Sequence, residues 1–525
     1  MTGLDWTIVV VYFFGLIGMS YYLSKGQTDH QDYYLGGRNI GWKSVGLSAM
    51  ATQLGAISFI SAPAFVGLRE NGGLKWLSYE FGVPLAMIFL ISFIVPPLYK
   101  SGVVSIYGYL EKRFAGSTSV FVSVVFQISR SLSTGVTIYA LALVLSAALG
   151  IPIWVTIFIT GLVTIIYDMM GGMKAVIYSD VIQMSILFVG IFICSLFALY
   201  LLGGWDTFMA NLDVTRLKVI NFKGLGIGKG NEFGFWPMVI GGFFLYASYY
   251  GCDQTQVQRQ LSARNLKEVR HSMMLNGLGR FPVVLLYCTM GLFLATFAVT
   301  HPAFQAMIPE DNPDMMVPLF IIHYLPAGLT GLLIVAILAA AMSSLDSSLN
   351  SLSAASVQDL VVRNTKRSLT NQEHLRYSKL FTLFWGIVCT LMAFAVGNIS
   401  PTVIEAINKV GSLFFGPILA TFILAILTKK THTLGVNTGL LAGVLLNFGL
   451  WIFAGDLVFW FWWNFTGAVT TIVVGYGLSR IIQDSDQIKK VLHFEAIDFR
   501  KKETLILTLY FFAIVIFSGS LAFLI

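Results

Sequence analysis

The sequence predicts an all-α polytopic membrane protein, and three observations carry that reading. Hydrophobic residues fill 56% of the 525 positions while charged residues supply only 11%, too few to solvate a soluble globule of this size. The mean hydropathy is +0.77. The apolar residues come in runs of about 20, the length of a helix crossing hydrocarbon, and not in the ten-residue alternation of a membrane barrel. A helix satisfies its own backbone polar groups, as a bilayer demands.

Windows of about 20 residues place fourteen spans near 5–25, 42–68, 74–99, 117–148, 151–169, 179–203, 234–257, 274–300, 327–358, 375–396, 400–427, 431–454, 458–482 and 504–524. The first has no basic segment before it and no small-residue cleavage site after it, so it reads as a retained span. The second, LSAMATQLGAISFISAPAFVG, is interrupted by Gly55 and Pro63 with Thr52, Gln53 and Ser58 close by. Unwound backbone at membrane depth survives where it lines protein or a wet cavity, and its freed carbonyls hold Na⁺. The seventh carries Tyr246, Tyr249 and Tyr250, then Asp253 and Gln254. The eleventh carries Asn408, Lys409, Gly411 and Pro417 and reads as another interrupted span.

The ninth span holds the stretch AAAMSSLDSSLNS, residues 339–351. Helical spacing sets Ala340, Ser343, Ser344 and Ser347 on one side, with Asp346 and Asn350 turned slightly round. That side is small, oxygen-rich and singly acidic, which suits a dehydrated hard cation. An ionisable residue inside a membrane points to function. Small residues that let helices approach closely are the competing explanation, and the cluster around Asp346 favours the cation.

Orientation follows from Lys and Arg. Loops after odd-numbered spans hold about 24 of them, including Lys25, Arg38, Arg113, Arg264, Arg367, Lys430, Lys490 and Arg500, against about six in the alternate set. The odd loops therefore face the cytoplasm and both termini face outside, in a multi-pass protein of the inner or plasma membrane. The net charge of +7 sits in short loops and is no nucleic-acid surface. Cys194, Cys252, Cys288 and Cys389 lie in or near apolar spans without ligand spacing and read as packed thiols. No enzyme signature is present, and GLGIGKG at 224–230 lacks phosphate-loop spacing. The expected partners are a small-molecule solute and the lipid bilayer; the letters assign no oligomeric state.

Six stretches in order carry a family resemblance: DYYLGGRNIGWKSVGLSAMAT (32–52), GGMKAVIYSDVIQ (171–183), QVQRQLSARN (256–265), AAAMSSLDSSLNS (339–351), GPILATF (416–422) and WWNFTG (462–467). With them the chain resembles the sodium/solute symporters, which include bacterial sodium/galactose and sodium/sialic-acid carriers. The resemblance implies one transporter domain with a LeuT-like core of two five-helix inverted repeats and two discontinuous helices. Residues 1–41 would be the first span and loop, 42–203 and 234–427 the repeats, and 428–525 three peripheral spans.

It further implies Na⁺-coupled symport by alternating access, with Na⁺ as the coupling ion. The main sodium site would use carbonyls of Ala51, Leu54 and Ala340 and hydroxyls of Ser343 and Ser344. A second sodium site would use Asp180, Asp346 and Ser347. There Asp346 either strengthens cation binding or shares a proton with Asp180; the alternative gives Asp180 a helix cap or Lys174 as partner. For the solute, the resemblance implies Gln53, Ser58, Tyr79, Glu80, Arg130, Tyr246, Arg280 and Asn408, with Tyr249 as inner gate. Glu80, the amides and the aromatic floor favour a sugar or polyol. Arg130 favours an organic anion such as sialate or a monocarboxylate, unless Glu80 neutralises it. A solute sensor without transport is the rival class.

Overall fold

The structure, a computed structural model, describes residues 1–24, 34–169, 173–365, 369–482 and 501–521. Lys25, Arg367, Lys490 and Arg500 lie outside the described residues, as do residues 32–33 and 171–172 of the family stretches. Among the described residues there is no strand, only two isolated bridges.

Each apolar run folds into helix. In chain order these are α1 (Gly3–Ser24), α2 (Trp42–Gln53), α3 (Ala56–Gly67), the helical run α4 (Gly73–Lys100), α5 (Tyr107–Arg113), α6 (Gly116–Leu149), α7 (Ile153–Asp168) and α8 (Met173–Leu201). After a short outer helix α9 (Trp205–Asn211) come α10 (Gly242–Cys252), α11 (Gln254–Leu261), α12 (Leu266–Thr300), α13 (Met316–Tyr324) and α14 (Leu329–Ala355). The chain closes with α15 (Asn371–Ala393), α16 (Val403–Leu427), α17 (Thr433–Ala454), α18 (Phe461–Ile481) and α19 (Lys502–Ser520). Among the described residues each expected window overlaps helix. By length and composition eight described helical segments are able to cross a membrane, nine when α2 and α3 count as one bent span.

Burial sorts these helices into core and rim. The apolar windows of α16 and α14 are 89% and 83% buried, those of α17 and α19 only 28% and 22%. The rim turns Phe14, Phe158, Phe453 and Ile516 outward, the pattern of helices facing lipid rather than water.

Two spans are discontinuous. The ladder of α2 ends with the Leu54 amide on the Met50 carbonyl at 2.9 Å. Gly55 then runs extended (φ −77, ψ −166), and α3 leaves at 53° to α2. The second break is at Asp253 (φ −95, ψ 123), between α10 and α11, where the carboxylate accepts the Thr255 amide and caps α11. The eleventh span departs from expectation: α16 runs unbroken through Gly411 and Pro417. Its small residues serve packing instead. A Cβ on Gly416 would lie 2.0 Å from the Asn464 carbonyl, and Pro417 sits against Gly467 of α18, so close helix approach explains the composition.

Candidate functional site

The break between α2 and α3 lies directly against the serine face of α14. Helix ends leave their last carbonyls without intrahelical partners, and here those are the carbonyls of Ala51, Thr52 and Gln53. Ser344 Oγ donates to the Thr52 carbonyl at 2.8 Å and lies 3.5 Å from the Ala340 carbonyl. A Cβ on Gly55 would meet Ser344 Oγ at 2.4 Å and the Ala340 carbonyl at 3.3 Å. Absence of that one carbon leaves the gap between kinked backbone and serine helix. The Leu54 carbonyl accepts Tyr287 OH at 3.4 Å, a long bond that leaves lone-pair capacity free. Ser343, one residue back, turns its hydroxyl to Asp180 Oδ1 at 2.5 Å. The polar atoms that meet at this gap, the Thr52 and Ala340 carbonyls and the Ser344 hydroxyl, are oxygens, the donor type a hard cation takes.

The residues expected for a second ion are arranged differently. Asp180 lies on α8, fully buried, and its partners are Ser48, Ser343 and Arg259; Lys174 is not the ion-pair partner. Ser347 accepts from Arg259 and donates to the Ser343 carbonyl at 2.5 Å. Asp346 is buried on a neighbouring face, within the electrostatic reach of Tyr12 on α1. Successive helix residues point about 100° apart, which separates its direction from that of Ser347.

Beside the cation gap is a cavity whose empty space, with its mouth, is about 930 Å³. Gln53, Ser58, Tyr79, Glu80, Arg130, Tyr249, Arg280 and Asn408 all line it. Tyr246 does not: it is fully buried behind the wall, stacked on Tyr79 with centroids 4.5 Å apart. Trp76, Thr134, Tyr287 and Phe415 line the cavity as well and have no distinguishing neighbours in the sequence. Ser348 also lines it, and the serine stretch marks it, one turn beyond Ser344 on α14.

The charged pairs differ from the pairing of Glu80 with Arg130 that the letters allowed. Glu80 is held by Arg280, through Nε at 2.7 Å and Nη2 at 3.3 Å, and by Tyr246 OH at 2.9 Å. Arg130 is paired with Asp253 at the second break, its guanidinium 5.3 Å from the Tyr249 ring centre. Both pairs are buried, so each carboxylate offsets the desolvation of its guanidinium. Arg130 Nε and Arg280 Nη1 nonetheless have no hydrogen-bond partner among the described residues, and neither does Gln53 Oε1. Unmet buried donors are costly, and both arginines border the same cavity.

A family model described as "Sodium:solute symporter family" matches residues 33–443. The human sodium/iodide cotransporter is 29% identical over 83% of this chain and 66% of its own length. Human sodium-coupled monocarboxylate transporter 1 is 29% identical over 84% of this chain and 72% of its own. The chain thus spans about two thirds of the length of these curated relatives. Among solved structures, a Na⁺-coupled sialic acid symporter in a substrate-bound outward-open state superposes with TM-score 0.80 and 25% identity, covering 91% of this chain and 98% of that one. A nucleobase-cation-symport-1 family transporter shares the fold alone, with TM-score 0.54 and 12% identity over 87% of this chain and 96% of its own.

Proposed function

Because the chain belongs to the sodium:solute symporter family, in which sodium is the coupling ion, we propose that it takes up a small organic anion together with Na⁺ by alternating access. In this reading Ala51, Leu54 and Ala340 carbonyls and Ser343 and Ser344 hydroxyls hold the ion. A site of five oxygens without a formal charge binds weakly enough to let the ion go. Residues 42–203 and 234–427 act as the two repeats, residues 428–525 as peripheral spans, and both termini face outside.

The observation that carries the choice of an anion is that two arginines with an unmet guanidinium donor each, Arg130 at Nε and Arg280 at Nη1, both line the cavity. The α3 N-terminus adds to it: Ala56 and Ile57 line the same cavity, and no side chain caps this helix. Half-helix N-termini at broken spans favour anionic groups. A sugar or polyol draws less support than the letters suggested, because both Glu80 oxygens are already committed to Arg280 and Tyr246. The relatives are named for iodide and monocarboxylates, and the structural neighbour for sialic acid; all three are anions at neutral pH.

The test is uptake into proteoliposomes under an inward Na⁺ gradient, with K⁺ replacing Na⁺ as control. The panel is lactate, pantothenate, sialate, galactose, glucose, inositol and proline. The proposal expects Na⁺-dependent accumulation of one or more of the three carboxylates. Accumulation of galactose, glucose or inositol alone would return the sugar reading. Binding without accumulation would indicate a sensor.

A further inference from the structure

Asp180 is the carboxylate bonded by Ser343 of the proposed sodium site, and the cation against it belongs to the chain. Arg259 reaches it from α11, the half-helix beyond the second break, and both side chains are fully buried. Nη2 donates to Asp180 Oδ2 at 3.1 Å and also to Ser347 Oγ; Nε donates to Ser48 Oγ at 2.7 Å; Nη1 donates to the Thr255 carbonyl at 2.5 Å. Ser48 Oγ donates to Asp180 Oδ2, and Ser343 Oγ donates to Oδ1. Thr52 Oγ1 completes the ring at 3.3 Å from Ser347 Oγ. Four elements, α2, α8, α11 and α14, meet at one guanidinium.

A second sodium at this place would need the Asp180 and Ser347 oxygens, and Arg259 already uses both. One carboxylate neutralises one unit charge, and a second cation in this dry site would be repelled by a guanidinium that does not deprotonate. On α14 Asp346 points about 100° away from Ser347, while the Asp180 oxygens are met by Ser48, Ser343 and Arg259.

We propose that Arg259 is a tethered cation standing where a second sodium would bind, so that this chain moves one Na⁺ per solute. The inference rests on the sodium-coupled anion reading above and sharpens it. One Na⁺ travelling with one monovalent anion carries no net charge, so the sodium concentration gradient alone drives accumulation and membrane potential does not enter.

Two measurements test it. The first counts ²²Na⁺ bound at saturation by purified wild-type protein, by Ser344→Ala and by Arg259→Gln. One ion per wild-type chain is expected, none at the same concentration for Ser344→Ala, and two for Arg259→Gln, whose Asp180 is released. Two ions in the wild type would overturn the proposal while leaving sodium coupling intact. No ion in the wild type would instead defeat the sodium reading itself. The second measurement keeps the question open to refutation should Arg259→Gln not fold: the initial rate of Na⁺-driven uptake of the accepted monocarboxylate into wild-type proteoliposomes, with and without an inside-negative potassium diffusion potential. An unchanged rate is expected, and severalfold stimulation by the potential would overturn the proposal.

Discussion

Gly55→Ala probes the cation gap with a single carbon. Its Cβ would stand 2.4 Å from Ser344 Oγ, 3.5 Å from Ser344 Cβ and 3.3 Å from the Ala340 carbonyl. The backbone there (φ −77, ψ −166) is ordinary extended geometry that alanine adopts freely, so the cost is steric and local. Ser344 must rotate away from the Thr52 carbonyl it now holds at 2.8 Å, and the proposed sodium site loses one oxygen of five. Overpacking of this kind costs about 1–3 kcal/mol of stability. Losing one hydroxyl bond to a charged group is worth about 1.5–3 kcal/mol, which weakens Na⁺ binding roughly 10- to 150-fold. The assay is the Na⁺ concentration giving half-maximal uptake, beside the rise in unfolding temperature that Na⁺ confers on purified protein. Gly18→Ala is the control, because nothing lies within 4 Å of its added carbon. A half-maximal Na⁺ concentration within about twofold of wild type, in a folded Gly55→Ala protein, would refute the reasoning.

The Arg130–Asp253 pair gives two more expectations, and the cysteines a third. Asp253→Asn keeps the acceptor that caps α11 but leaves the Arg130 charge without its partner, so unfolding becomes about 3–5 kcal/mol easier, measured by thermal or denaturant unfolding in detergent. The double change Arg130→Met with Asp253→Asn restores most of that stability while anion uptake stays lost; uptake at the wild-type rate would remove Arg130 from the solute site. Cys194, Cys252, Cys288 and Cys389 are free and buried, so a maleimide leaves all four unmodified in intact membranes and reacts after denaturation, as read by mass spectrometry.

Local chemistry was readable in the letters and long-range pairing was not. The α2–α3 break is legible because Gly55 interrupts an apolar run beside Thr52 and Gln53, and a membrane tolerates such a run only in helix or at a lined gap. The same signature, Gly411 with Pro417, misleads in α16, which runs unbroken and sets Gly416 and Pro417 in close contact with α18; an isolated chain does not reveal which neighbour a small residue faces. The ion pairs depend on helices crossing in space: Arg130 and Asp253 are 123 residues apart, Glu80 and Arg280 200, and Asp180 and Arg259 79. Composition names the six charges, but only the packing decides who neutralises whom. Arg259 shows the consequence, since QVQRQLSARN signals family and gives no hint that its arginine fills the Asp180 pocket. Tyr246 fails in the opposite sense, polar enough to suggest solute contact yet one layer behind the wall.

The most direct test of the account is an experimental structure of the protein determined twice, in saturating Na⁺ and with K⁺ in its place. A single ion is expected, present only in Na⁺, surrounded by the carbonyls of Ala51, Leu54 and Ala340 and the hydroxyls of Ser343 and Ser344. An ion bound instead at Asp180 with Arg259 displaced, or a Na⁺ structure with this gap closed by protein atoms, would contradict it.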